Sequence, residues 1–340
     1  MVRNRAWKLL ATVAIASCGG GYVGAAEPAP GDDPGFDLSP RHTSAAGLVR
    51  ALQLMQDVET IYDVEAPPPD DAGFNAGGVN FDLNVRYLTD HVFRGIDRSE
   101  GSGGFNDDEG NPVVFDPDEP DFEPGGEDAA NLQVDARFKF DLGRAPSPFG
   151  GLFANVYNDD PINRFQEIRP YFGVEWMVRP LIVAAGQTTY IYPEREDVNT
   201  AEVWASVTLD DSILFNSERP VLAPYVFAAY DYDLYDGLYL EAGIKHEIVI
   251  EDTPITLTFI ADVAFVAGHP QFTFADGEDT GFQHYDVGLV GRYNLNTLFN
   301  ISRRYGTFNF EGYLWYTDGI DNDLLSDTQL WGGAGIAFRY

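Results

Sequence analysis

From Asn131 to Leu142 the chain changes character at every residue. Leu132, Val134, Ala136, Phe138, Phe140 and Leu142 interleave with Asn131, Gln133, Asp135, Arg137, Lys139 and Asp141. Successive side chains of a strand point to opposite faces, so this stretch folds as a strand with one oily and one wet side, and no helix could sort these residues. Val79, Phe81, Leu83, Val85 and Tyr87 alternate in the same way with Asn80, Asp82, Asn84 and Arg86. The rhythm recurs near 149–157, 167–178, 181–191, 201–209, 221–231, 238–248, 255–265, 283–292, 307–316 and 329–340. Residues 79–340 therefore read as an all-β unit of about twelve strands.

A soluble sandwich also alternates, and three features favour a membrane barrel instead. Residues on the polar parity are often fully charged: Arg86, Arg137, Lys139, Glu167, Arg169, Glu202, Glu241, Lys245, Asp286, Arg292, Glu311 and Arg339. These are the candidate lumen-lining residues, because a lumen tolerates charge. Aromatics gather near strand ends, among them Tyr87, Phe93, Tyr190, Tyr192, Tyr230, Tyr232, Trp315, Tyr316, Trp331 and Tyr340, as at headgroup depth. Connectors tend to alternate between long and short, the habit of transmembrane barrels, although 210–220 and 294–306 are longer than a short turn. An unpaired backbone group in hydrocarbon costs several kcal/mol, so a spanning sheet must close on itself. The expected fold is a closed antiparallel transmembrane β-barrel, preceded by a short helical or disordered N-terminal segment.

The start of the chain reads as an export signal. Arg3, Arg5 and Lys8 precede an apolar core from Leu9 to Ser17, and small residues end at Ala26, which sets 1–26 apart as a Sec-type signal peptide. Ile15-Ala16-Ser17-Cys18 also has the form of a lipobox, with Cys18, the sole cysteine, as its lipidation site. Residues 27–78 read as a periplasmic linker holding one short amphipathic helix, with Leu48, Leu52 and Met55 at helical spacing. With a net charge of −33, the chain is a poor partner for nucleic acid.

The first strand continues as Thr89-Asp90-His91-Val92-Phe93-Arg94-Gly95-Ile96. This resembles the opening of the Gcw_chp family of uncharacterised outer-membrane barrels, whose first strand ends in a Ser-Asp-Tyr-x-Phe-Arg-Gly pattern. Asp90, Phe93, Arg94 and Gly95 fit, while Thr89 and His91 replace Ser and Tyr. Tyr190-Ile191-Tyr192-Pro193 with Ala201-Glu202-Val203-Trp204 is a second similarity. The resemblance implies a barrel in the outer membrane and transfers no activity and no site residue. The last stretch, with Leu330, Gly332, Ala334, Ile336, Phe338 and Tyr340 on one face, resembles the aromatic-ended strand by which such barrels engage the barrel-assembly machinery.

Chemistry is sparsely marked. Asp107, Asp108, Glu109, Asp116, Asp118, Glu119, Asp121, Glu123, Glu127 and Asp128 make the first long loop acidic, which suits Ca²⁺ or Mg²⁺ as partners, yet their spacing matches no EF-hand and a solvated loop is the plainer reading. His42, His91, His246, His269 and His284 show no zinc-ligand spacing. His284 and Asp286 share a face, with no serine marked as their partner. No cofactor is expected. The leading functional expectation is a non-enzymatic outer-membrane pore for small solutes; a non-conducting structural or surface-binding barrel and a barrel-rim lipid hydrolase are the alternatives. Pairing among the inner charges would narrow or close the lumen, and an unpaired acidic ring would select cations.

Overall fold

The computed structural model describes residues 78–99, 129–143, 145–157, 166–193, 198–272, 280–321, 324–326 and 328–340. The leader with Cys18, the 27–78 linker apart from Gly78, and the acidic stretch 107–128 lie outside these described residues.

Twelve strands close into an antiparallel barrel. They are β1 (Val79–Leu88), β4 (Asn131–Phe140), β5 (Ser147–Tyr157), β6 (Glu167–Val178), β7 (Leu181–Tyr190), β8 (Thr200–Leu209), β9 (Tyr225–Asp231), β10 (Leu238–Val249), β11 (Ile255–Ala267), β12 (Thr280–Asn294), β13 (Thr307–Gly319) and β14 (Gln329–Arg339). Each pairs with its neighbour in chain order, and β1 closes the ring against β14 by setting Val85 opposite Ile336. Two further short strands, β2 (Val92–Phe93) and β3 (Ile96–Asp97), pair only with each other.

Alternation fixes which way each strand faces. On β4 the odd-numbered residues from Asn131 to Lys139 are buried, while Leu132, Phe138 and Phe140 are exposed. The outer wall carries Val85, Phe172, Val203, Val226, Leu289 and Leu314 in the same sense, with Phe172 61% exposed. An apolar belt on a closed sheet is stable only against hydrocarbon, which makes this a transmembrane β-barrel.

Aromatic placement corrects part of the sequence reading. Tyr87, Tyr232 and Tyr316 are exposed, but Phe93, Tyr190, Tyr192, Trp315 and Trp331 are buried. Trp315 and Trp331, cross-strand partners on β13 and β14, stack at 5.6 Å inside the barrel. Parity is the reason for the rings on the wall, which sit on the inward alternation, while Phe93 is buried because it belongs to β2; an apolar residue near a strand end looks alike whichever face it serves.

The two unexpectedly long turns also find an account. Between β8 and β9 the chain forms α1 (Ser212–Phe215), and between β12 and β13 it forms α2 (Leu295–Phe299). Asp211 holds the first, accepting from the amides of Val221 at 2.7 Å and Leu222 at 2.8 Å. Asn296 holds the second, donating to the Gly306 carbonyl at 2.8 Å and accepting from the Phe308 amide at 2.6 Å. Ile213, Leu214, Leu298 and Phe299 are left exposed at the turn end of the barrel, where apolar helical turns suit the bilayer interface.

Candidate functional site

The segment that follows β1 does not leave the barrel. After Leu88 the chain bends inward, pairs Val92 with Asp97 and Phe93 with Ile96, and turns at Arg94 and Gly95, both in left-handed conformation with φ of 53° and 78°. A Cβ on Gly95 would stand 2.5 Å from Nδ1 of His284, so the turn has room for glycine alone.

Side chains of this hairpin reach around the wall. His91 contacts the Tyr157 hydroxyl of β5 at 3.1 Å, and Arg98 donates to Glu167 of β6 at 3.2 Å. Phe93 packs edge-on against Tyr190 of β7 at 5.8 Å. Arg94 donates to both carboxylate oxygens of Glu202 on β8, at 3.0 and 2.8 Å, and lies over the Tyr239 ring of β10. Gln283 of β12 donates to the Arg94 carbonyl at 2.9 Å, and Gln329 of β14 donates to Asp97 at 2.8 Å. One eight-residue segment thus touches seven of the twelve strands. A β-bulge helps: a register shift in the β11–β12 pairing near Val263 and Phe265 turns both Gln283 and His284 inward.

The hairpin's electrostatics follow from burial. Nη2 of Arg94 reaches both carboxylate oxygens of Glu202 away from water, and Tyr190 donates a further hydrogen bond to Glu202 at 2.8 Å. Burial opposes charge on Arg94, but Glu202 beside it outweighs that and holds the guanidinium above its ordinary range. His91 goes the other way: burial, together with Arg169 and Arg98 and against Glu167, lowers its pKa from 6.5 to about 3. It is neutral, so its 3.8 Å approach to Glu167 is no ion pair. The tautomer follows from the network. Tyr157 spends its proton on the Arg98 carbonyl at 3.2 Å, so Nδ1 of His91 carries the hydrogen that Tyr157 accepts, and Nε2 faces Arg169 at 3.5 Å.

All twelve candidate lumen residues point inward, and each meets a partner. Glu167 accepts from Arg169 at 2.6 Å, and Glu202 holds Arg94. Nearer the turn end, Arg137 and Lys139 approach Glu175 at 3.6 and 3.1 Å, and Arg137 covers the Phe149 ring. Arg292 pairs with Glu311 at 2.9 Å and Arg339 lies 3.7 Å from Asp82. Arg86 donates to the Tyr313 hydroxyl at 3.2 Å. Glu241 accepts from Tyr225 and Tyr239, Lys245 lies over the Tyr225 ring, and Asp286 accepts from Thr317 at 2.5 Å.

A wet inner parity is only half the picture. Between the charges runs a ring-to-ring series, Phe149 to Trp204 at 6.1 Å, Trp204 to Phe227 at 6.3 Å and Phe227 to Tyr239 at 6.4 Å. Sequence reasoning missed this series, and it missed Arg94, Arg98 and Glu175 as inner groups. The two arginines left a signal: they are basic residues flanking a glycine turn at the head of an acidic loop. His284, considered for a rim hydrolase, is fully buried against the hairpin rather than at a rim open to lipid.

No protein-family model and no curated protein matches the sequence. Among solved structures the chain is similar to the NanC porin in a rhombohedral crystal form, with 9% identity and a TM-score of 0.41 over 75% of this chain and 98% of that one. It is similar to the COG4313 outer membrane channel from Pseudomonas putida F1, with 8% identity and a TM-score of 0.42 over 81% of this chain and 100% of that one. A Pseudomonas aeruginosa FadL homologue aligns with 10% identity and a TM-score of 0.33 over 77% and 89% of the two chains. None of them assigns a residue role or an activity to this chain.

Proposed function

We propose that this protein is an exported outer-membrane channel for small solutes that rests shut, with residues 90–98 as its stopper. The observation that carries the reading is the hairpin's reach to seven strands through contacts that are mostly polar. Hydrogen bonds and ion pairs can be exchanged for water at modest net cost, so a polar stopper is removable where an oily core would not be. The net charge of −33 makes cations the favoured solutes. Outer-membrane lipids around the apolar belt, the barrel-assembly machinery at β14 and divalent cations at the acidic loop are the partners this reading implies.

Planar-bilayer recording tests the proposal. Wild-type protein is expected to show few or no conductance steps, and a chain with 91–98 replaced by a short Gly-Ser linker is expected to show stable ones. Silence from both would favour the second reading, a non-conducting structural or surface-binding barrel, which the inner series of aromatic rings supports.

A further inference from the structure

Against the hairpin's turn lies a group of acids that the stopper does not use. Asp262 of β11 and Asp286 of β12 are direct cross-strand partners on the inner face, an arrangement that like charges disfavour. His284 stands beside them with Nε2 3.4 Å from Oδ2 of Asp286, and one ligand atom from each of the three residues lies within 4.8 Å of the others. Glu241 adds a third carboxylate nearby, and Gly243 opens the space through which Tyr225 reaches both it and Asp262.

The hydrogen bonds around this group leave a pattern. Glu241 is satisfied on both oxygens, by Tyr225 at 2.8 Å and Tyr239 at 3.0 Å. Thr317 donates to Oδ1 of Asp286 and Tyr225 approaches Oδ2 of Asp262 at 3.4 Å. Among the described residues, Oδ1 of Asp262 and both ring nitrogens of His284 meet no hydrogen-bond partner, although Asp262 is 7% exposed and His284 0%. Polar atoms left without a partner at that depth are costly, more so when charged. One oxygen of each aspartate is thus met by a hydroxyl group, while Oδ1 of Asp262 is left open and Oδ2 of Asp286 faces Nε2 of His284, an arrangement in which outer hydroxyls orient ligating carboxylates.

We propose that Asp262, His284 and Asp286 form a binding site for one divalent transition-metal ion of the zinc or manganese kind. The imidazole nitrogen selects this class over Ca²⁺, which takes six to eight oxygens. Nδ1 of His284 faces Gly95, so Nε2 is the ligating nitrogen. Metal–ligand bonds of about 2.0–2.2 Å set ligands roughly 3–4 Å apart, within reach of small side-chain rotations here. The ion would neutralise the facing aspartates and fill the orphaned lone pairs. The site is independent of whether the barrel conducts.

Calorimetric titration of chelator-treated full-length protein in detergent with Zn²⁺, then Mn²⁺, tests it. One ion per chain is expected, lost in Asp262→Asn and His284→Gln, and weakened roughly 10–100-fold in Thr317→Val, which keeps all three ligands. No stoichiometric site, or one that survives both ligand substitutions, would overturn the proposal, the latter placing the ion on surface acids. Should those variants fail to fold, X-ray absorption at the zinc edge of the wild-type complex decides. One imidazole among oxygens supports the site, and an all-oxygen shell overturns it.

Discussion

Arg94 and Glu202 tie the hairpin to the wall by two short, charge-assisted hydrogen bonds in a place shut off from water. Removing one member of such a pair leaves the other buried and uncompensated, at a cost of about 3–5 kcal/mol, whereas replacing both with apolar residues of like size costs little. Arg94→Met is therefore expected to free the hairpin to proteases, and Arg94→Met with Glu202→Met to restore much of the protection; equal cleavage in the two would argue against the pair as the tether. His91 gives the same segment a pH dependence. Its pKa is about 3 when buried and near 6.5 when released, so its contribution is complete above 6.5 and is lost progressively as pH falls toward 3. Hairpin protection measured from pH 7 to 4 should fall, with a flatter profile in His91→Gln.

Among the elements, the strands carry opposite demands on their two faces. Phe172 on β6 is expected to tolerate other apolar residues, while Phe172→Arg near the bilayer centre should cost about 2–4 kcal/mol when folding into lipid vesicles is measured by urea titration. An unchanged midpoint would mean that this face does not meet hydrocarbon. Strands of this kind were legible in the sequence because alternation is a local property: the twelve stretches read from period coincide with the twelve that close the ring. Hairpin β2–β3 was not legible. Its four paired residues are too few to show a period, and whether a connector folds inward depends on partners such as Glu202, Tyr239 and Gln283, far away in sequence. The inner rings Phe149, Trp204 and Phe227 were hidden for another reason, since hydrophobicity alone does not say whether an apolar residue faces lipid or packs inside. His284 and Asp286 were visible as a pair on one face, but Asp262 joins them only through the β11–β12 register.

At the scale of the whole molecule, the barrel is a sealed wall with an apolar outside and an inside in which most charges meet a partner and rings are packed. The claim on which the functional reading depends is that residues 90–98 lie across that inside rather than in the outer loops. Hydrogen exchange followed by mass spectrometry of the intact protein in detergent micelles measures this directly, without altering a residue. Peptides covering 90–98 are predicted to exchange as slowly as those from β6 and β8, because their amides and side chains are enclosed by the wall. Exchange of that segment at the rate of the exposed turn around Asp252 would contradict the account.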